Sequence, residues 1–144
     1  MLIGEFKHKV DDKKRISLPI KFRKEVGKKI IVTRGLDNCL FLYPIKEWNE
    51  ISEKLGGLGM GQSDTRGFNR FMLAGAAEIN VDSVGRILIP EHLKEFAGIA
   101  NNVVFAGVHN RVEIWNEKTW EDYKTTVLKN ADQMAEKLGD IGAI

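Results

Sequence analysis

Asp11 and Arg15 stand four residues apart, and Asp82 and Arg86 repeat the spacing. An aspartate in a turn accepts hydrogen bonds from nearby backbone amides, and an arginine four positions later projects from the start of the following strand. The planar guanidinium reaches two acceptors at once, either phosphate oxygens or the O6 and N7 edge of guanine. The same spacing also lets aspartate and arginine simply pair across the turn. Recurrence of the arginine, joined in the first motif by Lys13 and Lys14, tips the reading towards a surface that binds a polyanion.

Other chemistry finds little support. His8, His92 and His109 have no metal-ligand spacing to one another or to Cys39, and no serine or cysteine sits in a nucleophile elbow. Asp11 and Asp82 are the best acid candidates, but turn-forming accounts for them. The expectation is no enzyme, metal, cofactor or small-molecule substrate. Cys39, beside Leu40 and Phe41, is expected to be packed and without chemistry.

Net charge over the 144 residues is only +2, but it is unevenly spread. Residues 1–35 carry +7 and residues 36–144 carry −5. Lys7, Lys9, Lys13, Lys14, Arg15, Lys21, Arg23, Lys24, Lys28, Lys29 and Arg34 form the basic end, a density suited to nucleic acid. No run of 18 apolar residues suggests a membrane span. The opening Met1-Leu2-Ile3-Gly4-Glu5-Phe6 lacks the charged and apolar segments of a signal peptide, which predicts a cytoplasmic protein.

The elements that must position the two motifs are themselves duplicated. Val10 to Pro19 is echoed by Val81 to Pro90 at an offset of 71. At an offset of 72, Gly35 pairs with Gly107, Asn38 with Asn110, Trp48 with Trp120, and Ile31 and Val32 with Val103 and Val104. Each copy is under 50 residues and has no disulfide to help it, so the two must share one core, as a pseudo-dimer with an approximate two-fold axis.

Within a copy, periodicity predicts a hairpin around the Asp–Arg turn and a short helix with Phe22 and Val26 stopped by Gly27. A second hairpin turns through Gly35-Leu36-Asp37-Asn38, and an amphipathic helix carries Ile45, Trp48, Ile51 and Leu55. Gly56 to Gly61 follows a helix and lacks a Lys-Ser/Thr ending, so it reads as a linker, not a phosphate loop. A helix from Ser63 presents Phe68, Phe71 and Met72. The closing helix, capped by Asn116, carries Trp120, Tyr123, Val127, Ala131, Met134 and Leu138 on one stripe.

The doubled Asp-x-x-x-Arg-Ile-x-(Leu/Ile)-Pro motif, with Leu42-Tyr43-Pro44 and Trp48 after the first and Ile114-Trp115 and Trp120 after the second, resembles the MraZ family. The resemblance covers nearly the whole chain, including Phe71-Met72-Leu73-Ala74-Gly75-Ala76-Ala77-Glu78. It implies a mixed α+β, mainly β fold: a pseudo-two-fold duplicated AbrB/SpoVT-like swapped-hairpin barrel with peripheral helices. The expected division is residues 5–52 and 78–123 for the two units, 53–77 for linker and helix, and 124–144 for a helical extension. It also implies a nucleoid-associated DNA-binding transcriptional regulator, a repressor of its own division and cell-wall gene cluster, that binds short G-rich direct repeats of double-stranded DNA as a homo-oligomeric ring. Lys13, Lys14, Arg15, Arg86, Lys7 and Lys9 are the expected DNA contacts, and Asp11, Asp82 and Gly85 the turn supports. Copy one departs from the pattern at Lys14, where Gly85 stands in copy two, and a positive φ would strain lysine there. The alternative is an antitoxin-like or scaffold module whose long last helix grips another protein.

Overall fold

The computed structural model describes residues 1–144. Copy one runs β1 (Leu2–Lys9), β2 (Arg15–Ser17), α1 (Ile20–Val26), β3 (Lys29–Arg34), β4 (Leu40–Pro44) and α2 (Ile45–Gly56). Helix α3 (Ser63–Asn69) and a π-helical turn, Arg70–Ala74, lead into copy two. That copy runs β5 (Ala77–Asn80), β6 (Arg86–Leu88), α4 (Glu91–Ala97), β7 (Asn102–His109), β8 (Val112–Asn116) and α5 (Glu117–Asp140). The π turn's Phe71 and Met72 carbonyls are taken by Arg34 Nη1 and Thr33 Oγ1, so its irregular backbone is held by the neighbouring strand.

Six strands form one antiparallel sheet in the order β1-β7-β8-β4-β3-β5. Exchanging the copies reverses this order onto itself, which is the expected pseudo-two-fold. Most pairing crosses between copies: β1 with β7, β5 with β3, β4 with β8. The remaining strands, β2 and β6, pair with each other as a separate ribbon. The expected barrel is therefore not closed. After its turn, β2 keeps a single bridge to its own hairpin partner, Val10 to Ile16, and then leaves for β6. Three-residue strands cannot carry the ladder further, and the outer edges of β1 and β5 stay apart.

The alignment of the copies also needs one correction. The ladders match Ile30 with Val103 and Val32 with Phe105, an offset of 73, before returning to 72 at Leu42 and Ile114. Copy two has two extra residues before β7 and one fewer in the following hairpin. The sequence identity of Gly35 and Gly107 is thus not a structural equivalence. A slip of one matters because side chains alternate across the sheet.

That alternation divides two cores. Ile30, Val32, Leu40, Leu42, Val103, Phe105, Val112 and Ile114 face the larger one, closed by Ile16 and Ile87 of the ribbon, Phe22 and Val26 of α1, and Leu93 and Ala97 of α4. Cys39, Phe41, Tyr43, Val104 and Trp115 face the opposite core with Met72, under α2, the π turn and α5. Each fully buried large apolar side chain contributes about 1.5–3 kcal/mol. Tyr43–Trp48 and Trp115–Trp120, at 5.7 and 5.2 Å between ring centroids, are the same contact in the two copies. Cys39 is buried as expected, and its desolvated thiol is pushed far up from the usual range.

Candidate nucleic-acid interface

The two Asp–Arg turns are built alike. Asp11 Oδ1 accepts from the backbone N–H of Lys13 (2.9 Å) and Arg15 (2.8 Å), while Oδ2 accepts from Arg15 Nε (2.9 Å). Asp82 Oδ1 accepts from Val84 (3.0 Å) and Arg86 (2.8 Å), and Oδ2 from Arg86 Nε (2.8 Å). The two readings of the spacing are therefore one arrangement: aspartate pins the turn and also holds its arginine. The arginine backbone N–H is the main cause lowering each carboxyl below its ordinary pKa, partly opposed by desolvation and reinforced by the guanidinium. Nε is the only side-chain atom either arginine spends on the protein, so both Nη groups of each fork make no hydrogen bond within the chain.

Register places the arginines together. Arg15 opposes Leu88, Ile16 opposes Ile87 and Ser17 opposes Arg86. Since Ile16 and Ile87 point into the core at 1% exposure, Arg15, Ser17, Arg86 and Leu88 share the ribbon's outer face. The arginines lie about two residues, roughly 7 Å, apart along it. Lys13 and Lys14 are exposed at the first turn's tip, and Lys9 is exposed at the end of β1. Lys7 is placed elsewhere: it pairs with Glu121 (3.1 Å) and Glu117 (3.6 Å) of α5, and the Glu121 contact chiefly raises its pKa.

Lys14 has φ 65° and Gly85 has φ 81°, so both turns demand the left-handed region. A Cβ on Gly85 would also lie 2.4 Å from Arg23 Nε. An L-residue in this region costs about 1–2 kcal/mol. Lys14→Gly is expected to raise stability by up to ~1 kcal/mol, and Gly85→Ala to lower it by at least that much, with urea midpoints as the measurement.

Sequence reading missed the placement of Arg23. Its Nε donates to the Leu18 carbonyl at 2.9 Å, and the side chain lies over the second turn at Gly85. Arg23 appears in the basic run, but nothing in the sequence says that α1 of copy one leans on the turn of copy two. That follows only from the crossed pairing. The first turn correspondingly lies along Leu88, Pro90 and Lys94 of copy two. Lys94, which occupies Arg23's place in copy two, is mostly buried and paired with Glu91 at 3.6 Å.

The histidines are dispersed. His8 stacks edge-on against Phe105, and burial, helped by the Arg23 charge, lowers its pKa. His92 Nε2 meets the Gly75 carbonyl at 3.0 Å, and His109 lies at the turn between β7 and β8. No group of three His, Cys, Asp or Glu side chains is placed to hold a metal, and no helix is long and apolar enough to cross a membrane.

Comparison with known proteins accords with this duplicated architecture. The family described as "MraZ protein, putative antitoxin-like" matches residues 1–71 and again 72–140. A protein named Transcriptional regulator MraZ from Caldanaerobacter subterraneus subsp. tengcongensis is 49% identical over 138 residues, 96% of each chain. Proteins of the same name from Thermoanaerobacter sp. and Caldicellulosiruptor bescii are 47% and 49% identical, each covering 98% or more of both chains. With two successive family matches and near full-length relatives, this chain belongs to the MraZ family.

Proposed function

We propose that the outer face of the β2–β6 ribbon binds double-stranded DNA and that the chain regulates transcription, as the names of its relatives say of them. The observation that carries this reading is the pair of outward arginines anchored through Nε alone, each with a planar fork free for phosphate or guanine. Lys13, Lys14 and Lys9 supply phosphate contacts around the first turn. Lys7 contributes less, since α5 already holds it. The crossed pairing of the copies supports kinship with the AbrB/SpoVT swapped-hairpin units, of which residues 5–52 and 78–123 are the two members.

In this reading the protein is a nucleoid-associated cytoplasmic repressor of its own division and cell-wall gene cluster. It reads short G-rich direct repeats as a homo-oligomeric ring. The apolar surface left on α3 and α5, at Phe68, Tyr123, Met134 and Leu138, supports assembly. The same stripe on α5 favours the second reading, a scaffold or antitoxin-like module. Footprinting of DNA upstream of the gene, repeated across a salt series, separates them. Protection of short repeats whose affinity falls steeply with salt is expected; no protection at low salt would leave the interaction module standing.

A further inference from the structure

Of the side chains on the ribbon's outer face, Arg15 lies directly opposite Leu88, and Ser17 directly opposite Arg86. Ser17 and Leu88 are also counterparts at the same offset of 71 that relates Arg15 to Arg86. Exchanging the copies therefore superposes the two arginines but swaps a hydroxyl for a leucine. Leu88 is 56% exposed, whereas its neighbours Ile87 and Ile89 are buried at 1% and 3%. The core gains nothing from it. A single exposed leucine is ordinary on a protein surface, but this one has Arg15 across the ribbon and lines one cleft with Lys13 and Lys14. A leucine among those cations adds nothing to phosphate binding.

We infer that Leu88 is a specificity residue, packing against the C5 methyl of a thymine next to the base pair that Arg15 reads. The inference rests on the DNA-binding reading and deepens it. A two-stranded ribbon fits the major groove, and the thymine methyl is the apolar group that the base edges present there. Side chains directly opposite on a ribbon have Cβ atoms about 5 Å apart, and successive base pairs rise by about 3.4 Å. With Arg15 on one base pair, Leu88 falls on a neighbouring one. At the pseudo-symmetric position Ser17 stands beside Arg86, and a hydroxyl both donates and accepts, so it does not select thymine. One arginine thus has a thymine-selective neighbour and the other does not, which gives the ribbon a direction on the duplex.

Full-length protein is titrated by fluorescence anisotropy with operator duplexes in which each thymine in turn is replaced by deoxyuridine, which lacks only the methyl. For the wild type, one thymine in each repeat is expected to be sensitive, its replacement weakening binding about fourfold, the worth of one methyl group taken out of water. Leu88→Ala is expected to bind the thymine and deoxyuridine duplexes equally and to keep the wild-type salt slope, because no phosphate contact is lost. Its urea midpoint should match the wild type, since Leu88 is exposed. Leu88→Met, which keeps an apolar side chain of similar volume, and Ser17→Ala are both expected to retain the sensitivity. Wild-type affinity indifferent to every deoxyuridine overturns the inference, and so does a thymine that stays sensitive in Leu88→Ala. Equal loss of sensitivity in Ser17→Ala marks a general disturbance of the ribbon and overturns it as well. Wild-type protein without salt-dependent DNA binding instead overturns the broader reading, so the two failures are distinct.

Discussion

Shifting one of two neighbouring operator boxes by about 5 base pairs, half a helical turn, is expected to cost the assembled protein a hundredfold or more in affinity. The ribbon is the reason. Its two arginines lie on one face about 7 Å apart, so one subunit touches a few base pairs at most. Contacts so few cannot supply specific affinity alone. In the proposed ring, several subunits would convert each later contact into an intramolecular step, but only if the boxes face the same side of the duplex. A further shift of about 5 base pairs restores the phase and should restore most of the binding. Arg15→Ala removes one fork from every subunit, so in the proposed ring its loss would be multiplied. Gel shifts with the spaced duplexes and the variant measure both effects. Binding indifferent both to the half-turn shift and to Arg15→Ala would sink the multivalent mechanism.

Much of the site was legible because it is local. The Asp–Arg turn closes within five residues, and its chemistry follows from the donor and acceptor inventory of those residues. Asn116 capping α5 through the Thr119 N–H, and the positive φ of Asp37 and Asn38, are equally local and equally readable. What the sequence hid is long-range. The run Ile30-Ile31-Val32 is apolar at every position and fits either face, so the conservative matches of Ile31 to Val103 and Val32 to Val104 suggested a register one residue from the true one. The barrel expectation failed for a related reason. Alternation at Ile16 and Leu18 marks a strand but does not name its partner, and the partner is β6. Arg23 was hidden by the same crossing, since a helix on one copy came to lie over the other copy's turn.

That crossing dictates the other large effect: neither half of the chain should fold alone, while the two halves together should. Residues 1–62 alone would keep only the β3–β4 hairpin, because β1, β2 and the second edge of β4 all find their partners in copy two. An isolated two-stranded hairpin is marginal at best in water. The larger core is divided almost evenly, nine side chains from Leu2 to Leu42 and ten from Ile79 to Ile114, so each fragment would expose nearly half a core without its complement. A chain of about 60 residues is marginal even with a complete core of its own, and this one would have half of one. The connection from Gly57 to Gln62 contributes no buried side chain, so cutting there removes chain continuity and little else. Fragments 1–62 and 63–144 are each expected to give poorly dispersed amide NMR spectra. An equimolar mixture should recover dispersed peaks matching the intact chain, with midpoint stability that depends on concentration. A dispersed spectrum from monomeric 1–62 alone would show that copy one carries its own core and that the crossed strands are not what holds the fold.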